Sequence, residues 1–132
     1  MPTIKNPQLS ITTDRPQNTA TVEVNADIEF TEVEVNAMDL LGLRYTVSCQ
    51  VLNKYLIDDD PMLTFRPHSY PHEHIGARRY EHAFFATFVP MDTLHERLLG
   101  KDNLVAELRL KNDETGEEYV ARTEEIAVDL AA

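Results

Sequence analysis

Apolar and polar residues alternate with a period of two along much of this chain. Ala20, Val22, Val24, Ala26, Ile28 and Phe30 share one parity, and Thr21, Glu23, Asn25, Asp27 and Glu29 fill the other. On a strand, successive side chains point to opposite faces, so this spacing gathers the apolar groups on one side. A helix would scatter them. The same pattern returns at Leu43–Val51, Arg79–Val89, Leu104–Leu110 and Tyr119–Leu130. It predicts half-buried antiparallel strands, dry on one face and wet on the other.

The parity slips in two places. Val33, Val35 and Ala37 are out of phase with Val22–Phe30, which predicts a β-bulge or turn near Thr31-Glu32. Met38–Gly42 then reads as a short loop. The second slip separates Tyr119 and Ala121 from Ile126, Val128 and Leu130. Such breaks suit strands that bend or cross between sheets. Within Arg79–Val89, Tyr80, His82, Phe84, Ala86 and Phe88 share one face and Phe85 with Val89 lies on the other, and the face shared with Phe84 puts His82 inside.

One short helix is predicted at 91–99. Thr93 and Glu96 stand at capping-box spacing, Leu94, Leu98 and Leu99 face one way, and Gly100 supplies a stop. Residues 1–18 carry Pro2, Pro7 and Pro16 and read as a polar arm with one short edge strand over Leu9–Thr13. The domain proper is then 19–132. About seven to eight strands with a single helix favour a two-layer antiparallel β-sandwich, because each sheet must bury its apolar face on something. This order is similar to immunoglobulin-like sandwiches, in which a short helical turn precedes the penultimate strand. The chain lacks their Cys…Trp…Cys signature, having no Trp and one Cys. A C2-like sandwich fits the length equally well.

Composition adds limits. A chain of 132 residues suits one domain and needs no disulfide to fold. Cys49 lies on the apolar parity of its strand, which predicts a buried thiol rather than a nucleophile. The net charge of -11 excludes nucleic acid, whose phosphates it would repel. No apolar run reaches the about 20 residues of a membrane span, so no membrane insertion is expected. The N-terminus has no leader-like apolar core, which reads as cytoplasmic, or as exported if a leader has been removed.

Three clusters bear candidate chemistry. His68, His72 and His74 lie in a loop over Pro67–Gly76, with His82 on the next strand. In an extended segment His72 and His74 project to one side, and with a third imidazole they could hold zinc or copper. The spacing matches no zinc-enzyme motif. Asp58-Asp59-Asp60 and the turn with Asp113, Glu114, Glu117 and Glu118 would supply oxygens to calcium, provided both loops share one end of the sandwich. Arg66, Arg78 and Arg79 flank the histidines and suit a carboxylate or phosphate. No nucleophile triad or glycine-rich phosphate loop appears. The expectation is therefore a non-enzymatic interaction or assembly module that meets a protein partner or its own copy through strand edges. The histidine metal site is the alternative, and a calcium-dependent module comes third.

Overall fold

The computed structural model describes residues 1–131 apart from 56–57 and 97–99. It is a two-layer antiparallel β-sandwich, as the alternation predicts. One sheet has three strands in the order β1-β2-β6. These are β1 (Thr3–Asp14), β2 (Thr19–Glu29) and β6 (Tyr80–Pro90). The other has six: β3 (Tyr45–Tyr55), β4 (Asp58–Thr64), β5 (His68–Tyr70), β7 (Asp102–Asn112), β8 (Glu118–Arg122) and β9 (Ile126–Val128). At its centre β3 pairs with β7, with β4 and β5 beyond β3 and with β8 and β9 beyond β7.

The core fills the space between the layers. Val22, Val24, Ala26 and Ile28 of β2 face Val47, Cys49 and Val51 of β3 and Leu104, Ala106, Leu108 and Leu110 of β7 across one buried cluster. Cys49 is buried, and that burial pushes its thiol up to about 12. Phe30 closes one end, its ring 5.0 Å from that of Tyr45 and 6.0 Å from that of Tyr70.

The segment 1–18 is more ordered than an arm. β1 pairs with β2 from Thr3↔Glu29 to Asp14↔Thr19, with a register shift between Lys5 and Gln8. Asn6 takes φ 51 there, which lets the strand absorb Pro7. Ile4, Leu9 and Ile11 pack against the core.

The parity slip after Phe30 is a helix, not a bulge. α1 (Glu32–Leu41) replaces both the out-of-phase strand and the loop expected over Met38–Gly42. Thr31 Oγ1 accepts from Glu34 N at 3.3 Å, and Glu34 Oε1 accepts from Thr31 N at 2.7 Å. This reciprocal capping box satisfies two orphan N–H groups, and Gly42 ends the helix at φ 73. The helix expected at 91–99 is instead a single 3-10 turn over Met91–Thr93, and Leu98 and Leu99 lie outside the described residues. The same T-x-x-E spacing at Thr93 did not nucleate a longer α-helix over Leu94–Glu96. The slip after Tyr119 is a true strand break. Thr123 N donates to Ala106 O, and Thr123 Oγ1 accepts from Ala106 N at 3.0 Å, so β8 and β9 pair with β7 on either side of a kink.

Thr31→Ala removes the cap from α1. It is expected to lower stability by about 1 kcal/mol. Urea unfolding would register this as a lower midpoint with unchanged slope. Thr12→Ala, on an exposed β1 position, should leave the midpoint in place.

Candidate functional site

The four candidate histidine ligands occupy different environments. His68 sits on β5 with its ring stacked on Phe85, centroids 4.4 Å apart, and burial followed by the nearby His72 charge lowers its pKa. His72 meets the Tyr70 ring edge-on at 5.0 Å and forms an isolated bridge with Gly76. His74 takes φ 70 in the resulting turn, so the segment is not extended and the premise that aims His72 and His74 together fails. Among the described residues, no three His, Cys, Asp or Glu side chains are grouped to hold a metal ion.

His82 is the clearest reversal. It points outward and is 58% exposed, rather than lying in the core. Its Nδ1 lies 3.0 Å from Asp27 Oδ1 and its Nε2 3.0 Å from Asn25 Oδ1. The hydrogen bond from His82 is the main reason Asp27 titrates below the ordinary carboxylate range, helped by Asn6.

The paired-loop calcium arrangement is not present either. Asp58-Asp59-Asp60 forms the start of β4, where Asp58 pairs with Tyr55. Asn112, at the start of the acidic turn, pairs with Tyr45 at the other end of β3. The two acidic segments therefore lie at opposite ends of the sheet. Asp59 is taken by Arg122 at 2.9 Å, and Asp113 accepts from Thr46 Oγ1 at 3.0 Å. Arg122 also joins Arg109 on Glu107, which is buried. Burial alone would raise Glu107, but the two guanidinium partners outweigh it and hold the carboxyl below its usual value. This ion network pins β4, β7 and β8 together.

A polar centre that sequence reasoning missed surrounds Asp102. This fully buried carboxylate accepts from Asn53 Nδ2 at 3.0 Å and Glu96 N at 2.9 Å, and its Oδ2 lies 2.6 Å from His95 Nδ1. Asn53 Nδ2 also donates to Leu94 O at 2.9 Å. An amide, a backbone N–H and an imidazole around one carboxylate make a scaffold's set: they tie residues 94–96 to β3 and β7. Beside them, a hydrogen bond with Asp60, then burial, pushes Glu96 up to about 7. His95 was the histidine outside the cluster, and no spacing rule links it to Asn53.

One depression, of about 630 Å3, lies between the β1 bulge and the turn into β9. Arg122, the cation among its described lining residues, is already committed to Glu107 and Asp59. The outward face of β6 is the stronger candidate. Glu81, Ala83 and Phe85 point into the core, and Tyr80, Phe84 and Phe88 point out, exposed by 65%, 45% and 75%. Arg79 lies 5.5 Å over the Tyr80 ring and pairs with Glu29 at 3.6 Å. Behind the rings runs an acidic column from β2: Glu29 opposite Tyr80, Asp27 opposite His82, Glu23 opposite Ala86. Among the described residues β6 pairs with β2 alone. Its other side opens into a groove of about 280 Å3 lined by Phe65, Arg66, His68, Phe84, Phe85 and Ala86.

No family model matches this chain, and no curated protein matches it in sequence. Among solved structures it is similar to the ApaA protein of Bordetella pertussis, at 7% identity and TM-score 0.43 over 97% of this chain and 92% of that one. It is also similar to β-glucosidase 3B of Thermotoga neapolitana in complex with α-D-glucose, at 12% identity and TM-score 0.37. That match covers 96% of this chain and 16% of the glucosidase. Likenesses this distant carry no argument about function or about the kind of sandwich.

The raised Glu96 favours the protonated carboxyl in the folded state. Its contribution is present in full below 4.5 and is lost as pH rises towards about 7. Glu96→Gln should flatten the fall in melting temperature over that window. Parallel curves for the two proteins would refute the shared proton.

Proposed function

We propose that this chain is a non-enzymatic interaction module that docks other polypeptide through β6. The observation that carries this reading is the combination of outward Tyr80, Phe84 and Phe88 with an unpaired backbone edge on the same strand. Contiguous exposed rings mark contact surfaces, and a free edge offers a partner main-chain hydrogen bonds in addition. A second apolar surface exists on α1, where Val33, Leu40 and Leu41 are exposed. A helix satisfies its own backbone, so that surface offers apolar area alone.

Contrast with the other edges strengthens the reading. Proteins blunt exposed edges with charge, proline, bulges or short strands. β1 carries Lys5, Pro7, Asp14 and a bulge. β4 carries its aspartates and Pro61. β8 has five residues, with Glu118 and Arg122 among them, and β5 and β9 have three each. β6 runs for 11 residues, and from Ala83 to its last residue, Pro90, it has no charged residue.

A photo-crosslinking amino acid at position 84 or 88, in cells, tests the reading. Discrete adducts from both positions, absent when the probe replaces Thr12 on β1, are expected. No adduct, or equal labelling from Thr12, would overturn it.

A further inference from the structure

Resting on that reading, we infer that the occupant of the β6 edge is a second copy of this chain, paired antiparallel across a twofold axis at Phe84. The outward aromatic positions of β6 are symmetric about that residue, Tyr80 and Phe88 lying four residues to either side of Phe84, with His82 and Ala86 between them. In an antiparallel self-pair centred there, Phe84 meets Phe84, Tyr80 meets Phe88 and His82 meets Ala86. All six rings then form cross-strand aromatic pairs, which stabilise neighbouring strands. A twofold interface has this self-complementarity by construction. A strand that serves an unrelated partner has no need of it.

Charge selects the same place. A net charge of -11 opposes the approach of two copies. From Ala83 to Pro90, β6 itself adds no charge to that opposition. On its inward face Glu81 would lie opposite Thr87, so no like charges within β6 face each other across the axis, and Arg66 lines the groove beside Phe84 and Ala86. The acidic columns of the two β2 strands would stand roughly 14 Å apart, three strand spacings, which exceeds the screening length of about 8 Å at physiological salt. The groove beside β6 leaves the edge open, with no strand, helix or loop hydrogen-bonded along it among the described residues.

The pairing joins two three-stranded sheets into one of six strands. A single strand edge buries less than the about 1,600 Å2 of a standard interface, so the dimer is reversible, with a dissociation constant of roughly micromolar or weaker. Salt should tighten it slightly by screening the residual repulsion.

Cysteine scanning in the full-length chain tests both the partner and the register. Cys49 is buried, so an introduced cysteine is the accessible thiol. Residues opposite each other in an antiparallel pair lie about 4.5–5.5 Å apart between Cα atoms, within disulfide reach. Under mild oxidation Phe84→Cys is expected to crosslink to itself. Phe88→Cys should crosslink efficiently with Tyr80→Cys and poorly with itself. Light scattering should show mass rising with concentration, and Phe84→Asp, which sets two carboxylates face to face on the axis, should weaken dimerisation by at least about tenfold. Circular dichroism of that variant, matching the parent, keeps unfolding from imitating the result. A strict monomer at all concentrations, or a Phe84→Cys crosslink no faster than that of Thr12→Cys, would overturn self-pairing. In that case, in-cell adducts at Phe88 whose mass is not twice that of the chain leave the interaction reading standing with a different partner. Absence of adducts removes both.

Discussion

Three strands lie over six, and that mismatch governs the rest of the molecule. The six-stranded layer needs cover for the inward faces of β3 and β7, which carry much of the core. Three strands supply it only if nearly every inward position on β2 is apolar and sealed, as Ala20 through Ile28 are. The cost is that both edges of the small sheet lie near the middle of the fold. β1 is bulged and charged along its edge, so it resists further pairing. β6 has no bulge and no charge beyond Glu81 and His82, and its outward rings stay in water.

The ends of the sandwich are closed by polar devices rather than by more apolar chain. At one end α1 is anchored by its capping box and by Tyr45, whose hydroxyl donates to Glu34 at 3.2 Å. Burial and the neighbouring Glu34 carboxylate push that phenol up to about 12, so it remains a donor across the physiological range. At the other end Asp102 gathers Asn53, His95 and the backbone of Glu96. A buried carboxylate is tolerable only when its oxygens are occupied, and removing one partner of such a group costs more than the bond itself gains. Residues 94–96, after β6, are thus fixed by polar contacts. That leaves β6 free of packing duty on its outer side.

Strand periodicity was legible because it follows from geometry alone: β2, β3 and β7 appear where the alternation places them. What periodicity could not supply was long-range pairing. The Asp102 centre unites residues separated by 49 positions, and no local pattern encodes that. α1 was legible in principle, since Thr31, Glu34 and Gly42 spell its two ends. Val33, Val35 and Ala37 alternate, however, and that alternation imitates a strand between the two caps. The histidine cluster was a proximity in sequence that a turn at His74 dispersed. The loop reading of Asp58–Asp60 rested on composition, and pairing with β3 prevailed over it.

β6 shows most clearly where parity stops being informative. Both of its faces carry apolar groups, with Glu81 inward and His82 outward, so alternation gives two answers and hydrophobicity chooses the wrong one. The face with more aromatic surface looks like the core, yet Ala83 and Phe85 are the side chains that point inward, with Phe85 stacked on His68 and tilted against Phe65. Packing is decided by volume and shape as well as by transfer free energy. A small residue and one ring fit under the sheet, whereas Tyr80, Phe84 and Phe88 on the inner face would overfill it. A strand apolar on both faces is ordinary in the middle of a sheet that is covered on both sides. At an edge with no strand beyond it among the described residues, the same composition leaves apolar rings exposed, and the proposed self-pairing is what would cover them.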